Sequence, residues 1–168
     1  SRDKFQSLQS LALHDIDIPR TAIVRGAGQV RAALRAVGGP PVVLKLRQGT
    51  QGIGVMLAET VEALESILHT LWSLGHDLLV QEFVAESRGR DLRALVVGGR
   101  VVAAMRRTAP VGEFRSNIHR GGSGRIVQLP AEYERAAVES VRILGLGVAG
   151  VDLLEARSGP KVIEINSS

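Results

Sequence analysis

Residues 45–55 read KLRQGTQGIGV, with glycines at 49, 52 and 54 close behind a lysine. Either this loop holds phosphate or it only turns the chain between two strands, and the answer decides whether the chain is an enzyme. Val42–Leu46 before it and Val55–Ala58 after it both predict strands, so the order is strand, glycine loop, strand. A dinucleotide fingerprint needs a helix directly after its glycines, and VMLAE continues as strand. The G-x-x-x-x-G-K-[ST] pattern of a P-loop is missing too. What remains is a hairpin whose backbone N–H groups can lie against a triphosphate, or an ordinary flexible turn. Lys45 favours the first reading. In a chain with 18 arginines and 3 lysines, a lysine at the strand end beside the loop sets a compact charge where phosphate would sit.

The flanking sequence is a mixture of helices and antiparallel strands. Phe5, Leu8, Leu11 and Ala12 are spaced for a helix over 2–13. A short strand at 21–24 and a helix at 29–37 precede the loop. Thr60 is an N-cap for a helix over 61–74 that Gly75 ends, and Leu78–Val84 is the next strand. Gly98-Gly99 between Asp91–Val97 and Arg100–Arg106 predicts a two-residue hairpin. Residues 108–124 form a long polar connection of the kind that carries function. A strand at 125–129, a helix at 131–144 and a last strand pair, 147–155 and 161–166, complete the chain. This predicts an α+β fold with two lobes, a glycine-loop lobe over about 21–84 and a second lobe over about 85–168.

The last pair, VDLLEARSGPKVIEINSS, holds a second signal. A turn centred near Ser158 sets Asp152 opposite Glu164, and alternation puts Asn166 on the same face as Glu164. Two carboxylates facing each other repel unless a cation lies between them. Without one, a carboxylate takes up a proton or turns away. Two carboxylates and an amide oxygen suit Mg²⁺ or Mn²⁺. A solvated polar face is the bland alternative; it explains the charges but not their register.

Composition narrows the field further. Of 168 residues 45% are hydrophobic, enough for a core, yet only 3% are aromatic, so the core is aliphatic. The absence of cysteine excludes disulfides and thiolate zinc sites and fits a cytoplasmic protein. The four histidines, at 14, 69, 76 and 119, have no metal-binding spacing. No run is long enough to span a membrane, and no signal-peptide pattern is present. The net charge of +4 and the segment RSNIHRGGSGR invite a nucleic-acid reading. Too few aromatics for a stacking platform, and carboxylates placed where a phosphate backbone would be repelled, argue against it.

Taken together, LKLRQGTQGIGVMLAET, LVQEFV, GRDLRALVVGGRVVAAMRR, GEFRSNIHRGG and AGVDLLEARSGPKVIEINSS resemble the ATP-grasp carboxylate–amine ligases, most closely the RimK type. The resemblance runs from Lys4 to the end of the chain. It implies two α+β lobes with antiparallel sheets that clasp ATP. It implies that Lys4 and Lys45 contact phosphate with the loop of Gly49, Gly52 and Gly54. Glu82 and Phe83 would read the adenine edge and Asp91 the ribose. Arg115, Ser116 and Asn117 would face the phosphates, with Arg115 catalytic. Asp152, Glu164 and Asn166 would hold two Mg²⁺ or Mn²⁺ ions.

The implied reaction activates a carboxylate as an acyl phosphate and joins it to an amine. The amine is glutamate, and the acceptor is the C-terminus of a small-subunit ribosomal protein. Arginines 106, 107, 115, 120 and 125 suit such acidic substrates, although Arg106 and Arg107 also fit a solvated strand edge. The family has an N-terminal domain before the Lys4 helix and a Pro-Gly loop and final helix after NSS, which this sequence does not hold. A homo-oligomer is expected at full length. The alternatives are a ligase of the same fold acting on a small-molecule or carrier-protein acceptor, or a shortened nucleotide-binding domain without activity.

Overall fold

A computed structural model describes residues 4–46, 54–116 and 121–167. Of Lys4 only the backbone is described. The chain divides into two units, one of residues 19–83 and one of residues 1–18 with 84–168.

The first unit is a four-stranded antiparallel sheet backed by two helices. Its elements are β1 (Thr21–Val24), α2 (Val30–Val37), β2 (Val42–Leu46), β3 (Val55–Ala58), α3 (Val61–Ser73) and β4 (Leu78–Glu82), with strand order β1-β4-β2-β3. Val42, Leu44, Leu78 and Val80 share one sheet face and bury against Val30, Ala33 and Val37 of α2 and Leu64 and Leu68 of α3. Thr60 caps α3, its hydroxyl accepting from the Ala63 N–H at 3.1 Å, a contact of about 1 kcal/mol. At the other end Gly75 N donates to Trp72 O and His76 N to Leu71 O, and Gly75 takes the left-handed φ of 77° that this closure requires.

The second unit is a five-stranded antiparallel sheet carrying α4 (Ala131–Ile143) on one face and joined by the N-terminal helix α1 (Lys4–Ala12). The strands are β5 (Arg90–Val97), β6 (Arg100–Thr108), β7 (Ser123–Ile126), β8 (Val148–Ala156) and β9 (Gly159–Ser167), in the order β7-β6-β5-β8-β9. Leu92, Ala94, Val96, Val151, Leu153, Val162 and Ile165 form the apolar face, packed with Tyr133, Ala137 and Val141 of α4 and Leu11 of α1. Because side chains alternate, the residues between them must face the other way. Those residues are Asp91, Arg93, Asp152, Glu164 and Asn166. β7 lies at 123–126 rather than 125–129; one further in-register bond, from Val127 N to Ala104 O at 3.1 Å, marks its end.

The β8–β9 turn is tighter than the connection over 156–160 expected between the two strands. Ala156 pairs with Gly159, so only Arg157 and Ser158 form the turn. That turn alone would set Ile163 opposite Asp152. A β-bulge between Asp152 and Leu153 absorbs Ile163 and brings Glu164 opposite Asp152 instead. Among the described residues no helix is long and apolar enough to cross a membrane.

Candidate active site on the polar sheet face

The polar face of the second unit is a linked set of charges. β5 runs between β6 and β8, so its Asp91 lies opposite Arg107 and its Arg93 opposite Asp152. Arg107 donates through Nε and Nη2 to the two oxygens of Asp91, each at 2.6 Å, and its Nη2 also lies 3.0 Å from Asp152 Oδ2. Arg93 donates to Asp152 Oδ1 at 2.6 Å and to Oδ2 at 2.7 Å. In the amide orientation that satisfies both of its ends, Asn166 accepts from Arg93 Nη2 at 3.1 Å and donates to Glu164 Oε1 at 3.2 Å. Among the described residues, three carboxylates and two guanidinium groups thus share one face.

Burial separates the members. Asp91, Arg107 and Asp152 are 3–5% exposed, whereas the Arg93 side chain is 36% exposed. Burial works to lower the Arg107 pKa, but hydrogen bonding to Asp91 and the charges of Asp152 and Asp91 outweigh it and move it up. Arg107 is therefore a fixed cation. The expected repulsion between Asp152 and Glu164 is not relieved by a carboxylate turning away. Two arginines hold Asp152 in place, a compensation that depends on β5 pairing both with its hairpin partner β6 and with β8, a strand far away in sequence. Nor is Arg107 a solvated strand edge; it is the buried centre of the cluster. Arg106 points to the opposite face and pairs with Glu155 at 2.8 Å. Asp91, expected at a ribose, has both oxygens engaged by Arg107.

The polar connection after β6 supplies a second group. Arg115 donates to Glu113 Oε1 at 3.0 Å through Nε and to Oε2 at 2.7 Å through Nη2. Its guanidinium lies 5.5 Å from the Phe114 ring centroid. The Arg115 hydrogen bonds hold the Glu113 carboxyl down to about 2. Ser116 is buried, 7% exposed. Arg120 and Asn117 lie outside the described residues, as do Gly49 and Gly52. The side chain of Lys4 does as well. Sequence reasoning missed Arg93 and Glu113. Glu113 was open to notice, two residues before Arg115, but Arg93 gains meaning only from the β5–β8 register.

In the first unit Lys45 is half-buried on β2, opposite Val55 of β3 and Leu79 of β4. Glu82 ends β4 opposite Val42, so its side chain is on the other sheet face from Lys45. Its carboxylate is ion-paired with Arg20, and its N–H donates to Arg20 O at 2.8 Å. Phe83 follows directly, half-buried. Gly54 closes the β2–β3 hairpin by accepting from Leu46 N at 2.9 Å.

The donors on the β8–β9 face are all oxygen: two carboxylates and an amide. Among the described residues no three His, Asp or Glu side chains cluster as a metal site by themselves. A profile of the RimK-like ATP-grasp domain matches residues 1–168. The chain belongs to the RimK-like ATP-grasp family. It is 55% identical over all 168 residues to a Rhodopirellula baltica protein named "Probable alpha-L-glutamate ligase", covering 42% of that protein. A Teredinibacter turnerae protein of the same name is 51% identical over the whole chain, which covers 56% of it. The chain thus spans about half the length of the curated relatives it matches. Among solved structures, a RimK domain ATP-grasp protein from Sphaerobacter thermophilus is 28% identical, with a TM-score of 0.76 over 99% of this chain and 59% of that one. The D-alanine–D-alanine ligase of Bacillus anthracis shares the fold at 19% identity and a TM-score of 0.78, over 99% of this chain and 56% of that one. The two antiparallel sheets of this RimK-like chain are the α+β architecture of those neighbours.

Proposed function

We propose that the protein containing this chain is an ATP-dependent carboxylate–amine ligase that adds glutamate to a protein C-terminus. A small-subunit ribosomal protein is the acceptor implied by the RimK resemblance. The observation that carries the reading is the convergence of Asp152, Glu164 and Asn166 on one sheet face in a family whose relatives bear the name of alpha-L-glutamate ligases.

The donor set fits a hard divalent cation: every donor is oxygen, and a guanidinium already bridges Asp152 and Asn166. Asp152, Glu164 and Asn166 would hold Mg²⁺ or Mn²⁺, which when bound neutralises phosphate oxygens. The chain's own residues do the rest. Lys45 places a cation against phosphate, and Gly54 shapes the hairpin beside it. Glu82 and Phe83 offer strand-end backbone to the adenine edge, and Lys4, Ser116 and Asn117 add phosphate contacts. Asp91 acts through Arg107, which fixes Asp152. An acceptor carboxylate oxygen attacks the γ-phosphorus, the bond to the β-phosphate oxygen breaks, and ADP leaves. The glutamate amine then attacks the acyl carbon, phosphate departs, and the amine loses a proton. Arg115 stabilises the charge that gathers on the transferred group.

The test is incubation of the full-length protein with ATP, Mg²⁺, each amino acid in turn and a peptide acceptor, read by mass spectrometry. Glutamate-dependent gain of a glutamyl residue with ADP release is expected. ADP release with another amino acid alone reassigns the amine. No ligation with any amino acid overturns the reading.

A further inference from the structure

We propose that Arg93 is a displaceable counter-ion of the metal-binding face, holding Asp152 until a divalent cation takes its place. The inference rests on the assignment of Asp152, Glu164 and Asn166 as metal ligands and adds a residue that controls their occupancy.

Two arginines contact Asp152, and they are not equivalent. Arg107 is 5% exposed in its side chain and spends Nε and Nη2 on Asp91, so it has nowhere to go. Its single contact to Asp152, 3.0 Å, is the longer one. Arg93 makes the shorter, two-pronged contact at 2.6 and 2.7 Å and is 36% exposed. Its Nη2 also reaches Asn166 Oδ1 at 3.1 Å, and Asn166 in turn reaches Glu164. The guanidinium therefore engages two of the three oxygen donors directly and the third through Asn166. A divalent ion needs the same lone pairs. Occupancy by both would set a guanidinium against a divalent cation, and like charges at contact distance repel. Arg93 has water beside it to turn into; Arg107 does not. Arg107 then stays on Asp152 as the ion arrives and keeps the carboxylate aimed.

Removing Arg93 should relieve the competition. The experiment is a Mn²⁺ titration of the nucleotide-free full-length protein, read by loss of the free-ion electron paramagnetic resonance signal. Wild type, Arg93→Gln, Arg93→Lys and Asp152→Asn are compared. Losing a two-pronged charged contact that the ion must displace predicts Mn²⁺ binding on the order of tenfold tighter in Arg93→Gln. Arg93→Lys, a weaker single-pronged competitor, falls between it and wild type, and it serves alone if the glutamine variant does not fold. In the Arg93 variants Mn²⁺ also raises the unfolding temperature more than in wild type. Equal or weaker Mn²⁺ binding in both Arg93 variants overturns the inference, as does undetectable binding in all of them. If Asp152→Asn loses the ion while the Arg93 variants gain nothing, the metal assignment stands and only the role of Arg93 fails. If Asp152→Asn binds Mn²⁺ as wild type does, the metal assignment itself fails.

Discussion

Asp152 stands opposite Glu164 because Ile163 is bulged out of the ladder between them. The two-residue turn at Arg157-Ser158 by itself would face Asp152 with Ile163 and turn Glu164 toward the apolar core. Side chains alternate with a period of two, so a one-residue shift decides which side of the sheet each residue faces. The bulge turns Glu164 to the face that already holds Asp152, Arg93 and Arg107.

Arg107 is the member of that face whose loss should cost the fold most. Arg107→Met leaves Asp91 buried without its charged partner and removes one support from Asp152. Breaking one side of a buried pair typically costs about 3–5 kcal/mol. Urea unfolding should show a loss of that size, and adding Asp91→Asn should restore part of it. A loss below about 1 kcal/mol would mean that water reaches Asp91 and replaces the arginine.

Glu113 and Arg115 give a pH dependence with a definite sign. The Glu113 pKa is lowered from 4.5 to about 2 by Arg115, so the folded chain holds fewer protons there than the unfolded chain. Its stabilising contribution is present above pH 4.5 and fades as pH falls through about 2. The stability difference between wild type and Glu113→Gln should therefore shrink as pH falls from 6 to 3. A difference that stays constant over that range removes the pair from the acid response.

Gly54 tests the hairpin rather than the chemistry. Its φ is 79°, and a Cβ there would lie 2.5 Å from Leu46 Cδ1 and 2.7 Å from Cγ. Gly54→Ala should cost about 1–2 kcal/mol from the backbone alone. A melting temperature equal to wild type contradicts the closure described.

Lys45→Ala should weaken nucleotide binding by about 1.5–3 kcal/mol, the worth of one charge-assisted hydrogen bond. Isothermal titration of the full-length protein with ATP measures it. An unchanged affinity excludes Lys45 from the site.

Much of this was open to sequence reasoning where the signal is local. The Gly98-Gly99 hairpin, the Thr60 cap and the β2 and β3 bounds each depend on residues a few positions apart, and each was found in place. The facing of Asp152 and Glu164 was reached from a turn centred near Ser158. The structure arrives at the same pair through a shorter turn and a bulge. Sequence symmetry gives no warning of a bulge, because the extra residue is an isoleucine that any strand accepts. The arginines were the harder case. Arg107 read as a strand edge because an irregularity between Leu95 and Val96 sets it, rather than Arg106, opposite Asp91, and because its other partner, Asp152, lies 45 residues away on β8. Only the strand order β6-β5-β8 brings Asp152 within reach of it.

The most direct test of the central claim is ATP turnover by Glu164→Gln in the full-length protein. The substitution keeps the shape of the side chain and removes one ligand charge from the Asp152–Glu164–Asn166 set. ADP release with glutamate, acceptor peptide and saturating Mg²⁺ should fall by more than the roughly 10–100-fold typical of a merely supporting partner. Urea unfolding should stay within about 1 kcal/mol of wild type, as for an exchange between neutral and charged forms at a half-exposed position. A Glu164→Gln protein that folds and releases ADP at the wild-type rate would contradict the account.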